Sequence, residues 1–354
     1  MKTYIINPII DERWDLFVSS HDAATIFHTS AWAKVLQERY QSPPKYWVME
    51  NEQGVIVAVA PFFKIKNFII GSRLLCLPTS EYCFPLAIQS ADISALMNVV
   101  NKEVHKGGVS FLEIRGWNNP VLPENIGLKK SNYFLNHRLE LDPDPEEVKQ
   151  SFIGKKHKHL RNRINRTDRS SINIHEAQDE TDLRNFYRLY VENRRRFHLL
   201  PEPYQYFKAI FDYLIIPGYG FIYLAEIGGR IIASDINLSF GDTMLVKFGV
   251  YDEKFLQYRA QDSLTWNAIK RACIEGRRYY DFGRTFPENH GLVNYKRRWG
   301  CEEQKQPYYY YPNKPGIGPV FRRGLLYSSH IFANRLLPDI AAKKVGNILS
   351  KRIG

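Results

Sequence analysis

Between Asp281 and Gly300 the chain reads DFGRTFPENHGLVNYKRRWG, a gathering of residue types better suited to a reaction than to a core. An aromatic strand end, Tyr279-Tyr280-Asp281-Phe282, runs directly into Gly283-Arg284. A glycine there lets the backbone turn sharply, and an arginine beside it offers a planar fork of donors to an anionic group. Lys296 follows in a short basic segment and can carry positive charge to an oxygen that becomes negative during a reaction. On this reading Lys296 is the catalytic cation, Arg284 binds an anionic part of a substrate and Asp281 orients it. The plainer alternative is a strand–loop–helix corner in which Asp281 and Arg284 pair only with each other.

The elements that would position these residues fit a chain with more than one core. Its 354 residues are comfortable for two domains, and 44% hydrophobic with 14% aromatic residues can fill both. A net charge of +12 favours anionic partners: nucleic acid, nucleotide-linked precursors or an anionic membrane surface. Cys76, Cys83, Cys273 and Cys301 form neither a CxxC pair nor a Cys/His cluster. That pattern predicts reduced, packed thiols, no metal site and a cytoplasmic location. Asp11, Glu12 and Arg13 interrupt any leader-like apolar run, and the longest apolar stretch, 55–63, is far short of the ~20 residues of a spanning helix.

The run DFGR, then a glycine, then a lysine ahead of Trp299-Gly300, resembles the signature of the Fem-like acyltransferases. These are tandem-domain relatives of the GNAT acetyltransferases and include the peptidoglycan-bridge aminoacyltransferases. The resemblance covers roughly residues 25 to 311. It implies an α/β (α+β) fold of two tandem GNAT-like domains with a cleft between them, expected at 1–145 and 146–312, followed by a tail at 313–354. Phe27 with the Ser30-Ala31-Trp32 segment matches the opening of a family helix, and Lys34 within it is a candidate for an acceptor phosphate or a solvated surface lysine. Pro78 to Tyr82 matches a family loop and makes Tyr82 a candidate substrate contact; Cys83-Phe84 stand where relatives often carry glycines. Arg115, ending the strand 111–116, is a further substrate-binding candidate, as are Arg196 and His198, where the family carries substrate contacts. The triple Arg194-Arg195-Arg196 is also what a helix C-terminus favours through its dipole.

Periodicity supplies the rest. Leu183, Phe186, Tyr187, Tyr190 and Val191 mark an amphipathic helix over 182–197. Phe221 to Ile227 and Arg230 to Phe240, joined by Gly228-Gly229, read as a hairpin, and 46–50 with 55–64 as another. Helices are expected at 91–106 and 262–275. The basic run 155–169 is either a solvated helix face or a phosphate-contacting surface for RNA, and the family places Arg-Asn-x-Ile at 161–164. The four tyrosines 308–311 read as a closing strand rather than a stacking platform. The basic and apolar tail packs on the protein itself or lies on an anionic membrane at its inner face.

The function expected is transfer of an acyl or aminoacyl group to an amine of a cell-envelope precursor, peptidoglycan or polysaccharide. The partners expected are an anionic small-molecule or lipid-linked precursor and, for one donor, tRNA. No permanently bound cofactor is expected; the co-substrate is aminoacyl-tRNA or acyl-CoA. The loop 257–262, Gln-Tyr-Arg-Ala-Gln-Asp, lacks the glycines of a GNAT pyrophosphate loop and so points away from CoA. No room exists between 182 and 220 for the coiled-coil arm of some bridge-forming enzymes, which points away from tRNA. A non-catalytic glycan- or RNA-binding relative is the alternative of a different class.

Overall fold

The structure, a computed structural model, describes residues 1–65, 72–106, 108–117, 122, 126–152, 160–162, 164 and 172–312. The expected tail at 313–354 and most of the basic run 155–169 lie outside the described residues. The chain forms two compact units, Met1–Tyr133 with 306 onward, and Phe134–Lys305. It passes from one to the other within strands, whereas the sequence reading put the division at the proline- and acid-rich stretch 141–145.

In the first unit, β1 (Lys2–Ile6) is followed by α1 (Arg13–Ser19) and α2 (Ser30–Tyr40). Thr29 caps α2 by accepting the Trp32 amide at 3.2 Å, and the apolar residues Trp32, Val35 and Leu36 are buried. Next come β2 (Tyr46–Glu50), β3 (Ile56–Ala60), β4 (Phe63–Ile65), β5 (Arg73–Leu75), β6 (Leu86–Ala87), α3 (Ser90–His105) and β7 (Phe111–Arg115). Strands β1-β2-β3-β6 make one sheet. β2 and β3 are buried along their whole length, as strands covered on both faces must be. The expected strand 55–64 is in fact two, β3 and β4, which belong to different sheets; Pro61, with no N–H to give a ladder, stands at the break. β4, β5, β7 and residues 308–311 make the second ladder, so the tyrosine run is a strand, with Tyr308 opposite Arg115 and Tyr311 opposite Leu112.

The second unit begins within β8 (Lys129–Glu140), followed by α4 (Pro145–Ser151), β9 (Asn173–Glu176), α5 (Glu180–Arg196), α6 (Tyr204–Ile210), β10 (Gly220–Ile227), β11 (Arg230–Phe240) and β12 (Thr243–Tyr251). Then come α7 (Ala260–Ile274), β13 (Tyr279–Thr285), α8 (His290–Arg298) and β14 (Glu302–Tyr311). Its sheet runs β8-β13-β12-β11-β10-β9. Asp179 caps α5 by accepting the Thr181 and Asp182 amides, and the helix buries Leu183, Phe186, Leu189, Tyr190 and Val191; Tyr187, expected in the stripe, is half-buried. α7 lies over β10 to β13 and shares a core with Tyr280, Phe282 and Trp299, into which Leu160 and Ile164 of the basic run are also packed. The Arg-Asn-x-Ile segment thus has an apolar anchor in Ile164.

Two features of this sheet prepare a site. β12 and β13 are parallel and pair over Thr243–Leu245 with Tyr279–Asp281 only, the ladder ending there. β13 then shifts register against β8: Asp281 faces Arg138 and Arg284 faces Asn136, so Phe282 and Gly283 together oppose His137. That is a β-bulge, and Gly283 supplies its left-handed residue at φ +68°.

At the start of β10 the backbone runs against β11 with no room for a side chain. A Cβ on Gly220 would lie 2.1 Å from the Asn237 carbonyl oxygen. Gly220→Ala is expected to cost about 2–4 kcal/mol by forcing the two strands apart, read as a lower urea midpoint with an unchanged slope.

Candidate active site

The bulge in β13 explains why these residue types follow one another. Asp281 is fully buried, and its Oδ1 accepts the amide N–H of Gly283 at 2.6 Å, bending the strand back on itself. The turned carbonyl of Gly283 accepts a hydrogen bond of 2.7 Å from the Lys296 ammonium. Lys296 lies in the last turn of α8 and is only 4% exposed. A buried ammonium requires partners for its three protons, and a left-handed glycine is what aims a strand carbonyl at it. Asp281, Gly283 and Lys296 therefore form one hydrogen-bonded unit.

Around it stand groups that the sequence reading missed. His137, opposite the bulge, is fully buried and joins its Nε2 to the Glu303 carboxylate at 3.0 Å. Glu303 is also held by two hydrogen bonds from Arg297, each 2.7 Å. The carboxylate accepts, so the ring hydrogen sits on Nε2 and Nδ1 keeps its lone pair, which has no hydrogen-bond partner among the described residues. Burial, with the Lys296 and Arg297 charges adding to it, pushes the His137 pKa down to about 4 against the opposing pull of Glu303. The imidazole is neutral at physiological pH. Asp281 also approaches Arg138, whose Nε is 3.9 Å from Oδ2. Arg284 extends over the rings of Phe134 at 4.7 Å and Phe286 at 5.9 Å, which orient its guanidinium.

A second missed group lies on β11. Asp235 is fully buried, bonded through Oδ1 to the Asn237 amide at 2.9 Å, and Asn237 in turn accepts the Tyr280 hydroxyl at 2.9 Å. Burial pushes the Asp235 carboxyl up to about 8. Polar residues inside a strand carry no local signal of what they will meet. The only trace in the sequence is that Asp235 and Asn237 interrupt the largely apolar run 231–238.

The other candidates fall elsewhere. Arg196 bonds Asn193 at 3.2 Å, approaches Glu253 at 3.8 Å and covers the Tyr251 ring at 4.4 Å. His198, just past α5, is exposed and left-handed at φ +54°, its amide donating to Arg195. In the first unit Arg115 is 5% exposed, bonded to Glu113 at 3.1 Å and to the Ser80 carbonyl at 2.9 Å. Tyr82 is buried, stacked on Trp117 at 5.1 Å and edge-on to Phe27 at 5.6 Å. Arg115 and Tyr82 thus flank one loop, 77–82, while Lys34 is half-buried on α2. The structure brings Lys296, Asp281 and Arg284 together at the bulge, Arg115 and Tyr82 together at the loop, and Arg196 with His198 at the end of α5.

At the start of α7, Arg259 takes a left-handed conformation (φ 53°), and Asp262 in the first turn is 6% exposed. A carboxylate occupies the end of the helix where backbone amides would otherwise receive a phosphate.

Residues 154–297 match the acetyltransferase (GNAT) domain family, a span that contains Asp281, Arg284 and Lys296. No curated protein matches the chain significantly. Among solved structures, FemX is similar over 87% of this chain and 97% of its own, with a TM-score of 0.68 and 14% identity. L-PGS from Bacillus licheniformis is similar over 93% and 97%, with a TM-score of 0.58 and 14% identity. A tandem GNAT protein from the clavulanic acid biosynthesis pathway is similar over 89% and 99%, with a TM-score of 0.53 and 10% identity. Residues 154–297 therefore carry the match to the acetyltransferase (GNAT) domain family, and over most of its length the chain has a fold like that of FemX and of the tandem GNAT protein.

Proposed function

We propose that this protein is an N-acyltransferase that moves an acyl or aminoacyl group onto an amine of a cell-envelope precursor. The observation that carries the proposal is the buried Lys296 ammonium, fixed by Gly283 just past the end of the β12–β13 ladder. In the reaction the amine nitrogen attacks the carbonyl carbon of an ester or thioester. A C–N bond forms, and the carbonyl oxygen takes up negative charge. Lys296, which donates one proton to Gly283, is the ammonium assigned to stabilise that oxygen. Collapse expels the alcohol or thiol, which leaves with the proton lost by the amine. Arg284, steadied over Phe134, would bind a phosphate of the donor or acceptor.

The buried carboxylate of Asp262 at the α7 terminus favours aminoacyl-tRNA as the donor, since it repels a pyrophosphate there. Acyl-CoA is the second reading, favoured by the early end of the β12–β13 ladder, past which a strand edge can pair with an extended amide-bearing chain. The similarity in fold to FemX and to a lysylphosphatidylglycerol synthetase supports an envelope precursor, lipid-linked or not, as acceptor. No described helix is long and apolar enough to cross a membrane.

Lys296→Met is expected to lower transfer about 10²–10³-fold with either donor while precursor binding persists. Radiolabel transfer from aminoacyl-tRNA or acyl-CoA to a muropeptide precursor measures it. Full turnover in a folded variant would remove Lys296 from the chemistry. The neutral state of His137 gives a second expectation. Its folded pKa lies below the ordinary 6.5, so between pH 6.5 and about 4 the unfolded chain binds more protons and stability falls as pH falls. His137→Gln, which still donates to Glu303, should lose less stability over that window, by up to about 3 kcal/mol, read from urea midpoints across pH.

A further inference from the structure

The first unit holds a thiol arrangement that acyl transfer does not use. The chain leaves the β5–β7 ladder at Cys76, whose amide donates to the Glu113 carbonyl at 2.8 Å. It returns at Cys83, whose amide donates to the Arg115 carbonyl at 2.8 Å and whose carbonyl accepts the Arg115 amide at 3.2 Å. Glu113 and Arg115 are alternate residues of one strand, so their backbone groups point to the same side. The two cysteines consequently occupy neighbouring positions along that edge of β7.

His28 completes the cluster, with Nε2 at 3.6 Å from the Cys83 sulfur. The Thr25 amide donates to Nδ1 at 3.1 Å, which places the ring hydrogen on Nε2, facing both the Phe84 carbonyl at 2.8 Å and the sulfur. Burial pushes the Cys83 thiol up, yet the Cys76 S–H, His28 and the Phe84 amide more than offset this and hold it below the ordinary thiol range. Burial and the neighbouring sulfur push Cys76 up instead. Cys83, with the His28 Nε2–H facing its sulfur, is thus the more acidic thiol of the two. Between them, Leu77 and Thr79 both take left-handed backbone conformations, φ 55° and 58°. Each such residue costs about 1–2 kcal/mol, strain that opening of the loop would release.

We propose that Cys83 is a hydroperoxide-reactive thiolate and Cys76 its resolving thiol, the pair closing a disulfide across loop 77–82. The Cys83 sulfur attacks one peroxide oxygen; an S–O bond forms, the O–O bond breaks, and the departing oxygen is protonated to water or an alcohol. The Cys76 sulfur then attacks Cys83, an S–S bond forms, and the hydroxyl leaves as water with the Cys76 proton. Two thiols are oxidised and one peroxide is reduced. The product ties the loop that carries Ser80 and Tyr82 to its closed form.

The test treats the full folded chain with hydrogen peroxide, quenches in acid, alkylates under denaturing conditions and maps the peptides. A Cys76–Cys83 disulfide is expected before any oxidation of the partly exposed Cys301. Cys76→Ser should leave a Cys83 sulfenic acid that dimedone captures. His28→Phe should slow disulfide formation about tenfold, as loss of one donor to a thiolate predicts. Free Cys76 and Cys83 in wild-type protein whose Cys301 is already oxidised would overturn the proposal. So would a disulfide that forms only once urea has unfolded the chain.

Discussion

The hydrogen bond from Lys296 to the carbonyl of Gly283 is the contact on which the second unit's site depends. A cation taken almost wholly out of water loses several kcal/mol of hydration, and only well-placed acceptors return it. An ordinary strand gives its carbonyls to its neighbours. The bulge frees one, the left-handed glycine turns it, and Asp281 keeps it turned by holding the same residue's amide. The charge and the backbone kink thus stabilise each other, and neither is explicable alone.

The same contact organises its surroundings. An ammonium beside an imidazole disfavours a second proton, so His137 is kept neutral and its lone pair is preserved. Glu303, shared between His137 and Arg297, ties β14 to β8 and to α8. Electrostatics is therefore divided between the strands: one buried cation, one neutral ring and one carboxylate, each fixed by the next.

Much of this was legible in the residues. The apolar stripe of α5, the β10–β11 hairpin and the helices near 91–106 and 262–275 follow from local period, which needs no knowledge of partners. The DFGR run marked a sharp turn of the backbone at Gly283, which in the structure is a bulge within β13. β8 was not legible: KKSNYFLNHRLE is polar, and its few buried residues, among them Asn136 and His137, acquire their cover from strand pairing with β13, far along the chain. For the same reason His137 and Asp235 passed unnoticed, while Arg196 and His198, marked through the family resemblance, sit at the end of α5, where Arg196 meets Asn193, Glu253 and Tyr251. Pro61 was visible, but its effect, dividing one expected strand between two sheets, depended on where each half found a neighbour.

Asp235 has a consequence for the protein's charge. With its carboxyl pushed up to about 8, the folded chain carries at neutral pH a proton that the unfolded chain has released. Folding is then accompanied by proton uptake from the medium, and the native molecule is more cationic at that position than a count of its acids and bases suggests. The heat measured for its unfolding accordingly includes the ionisation heat of whichever buffer surrounds it.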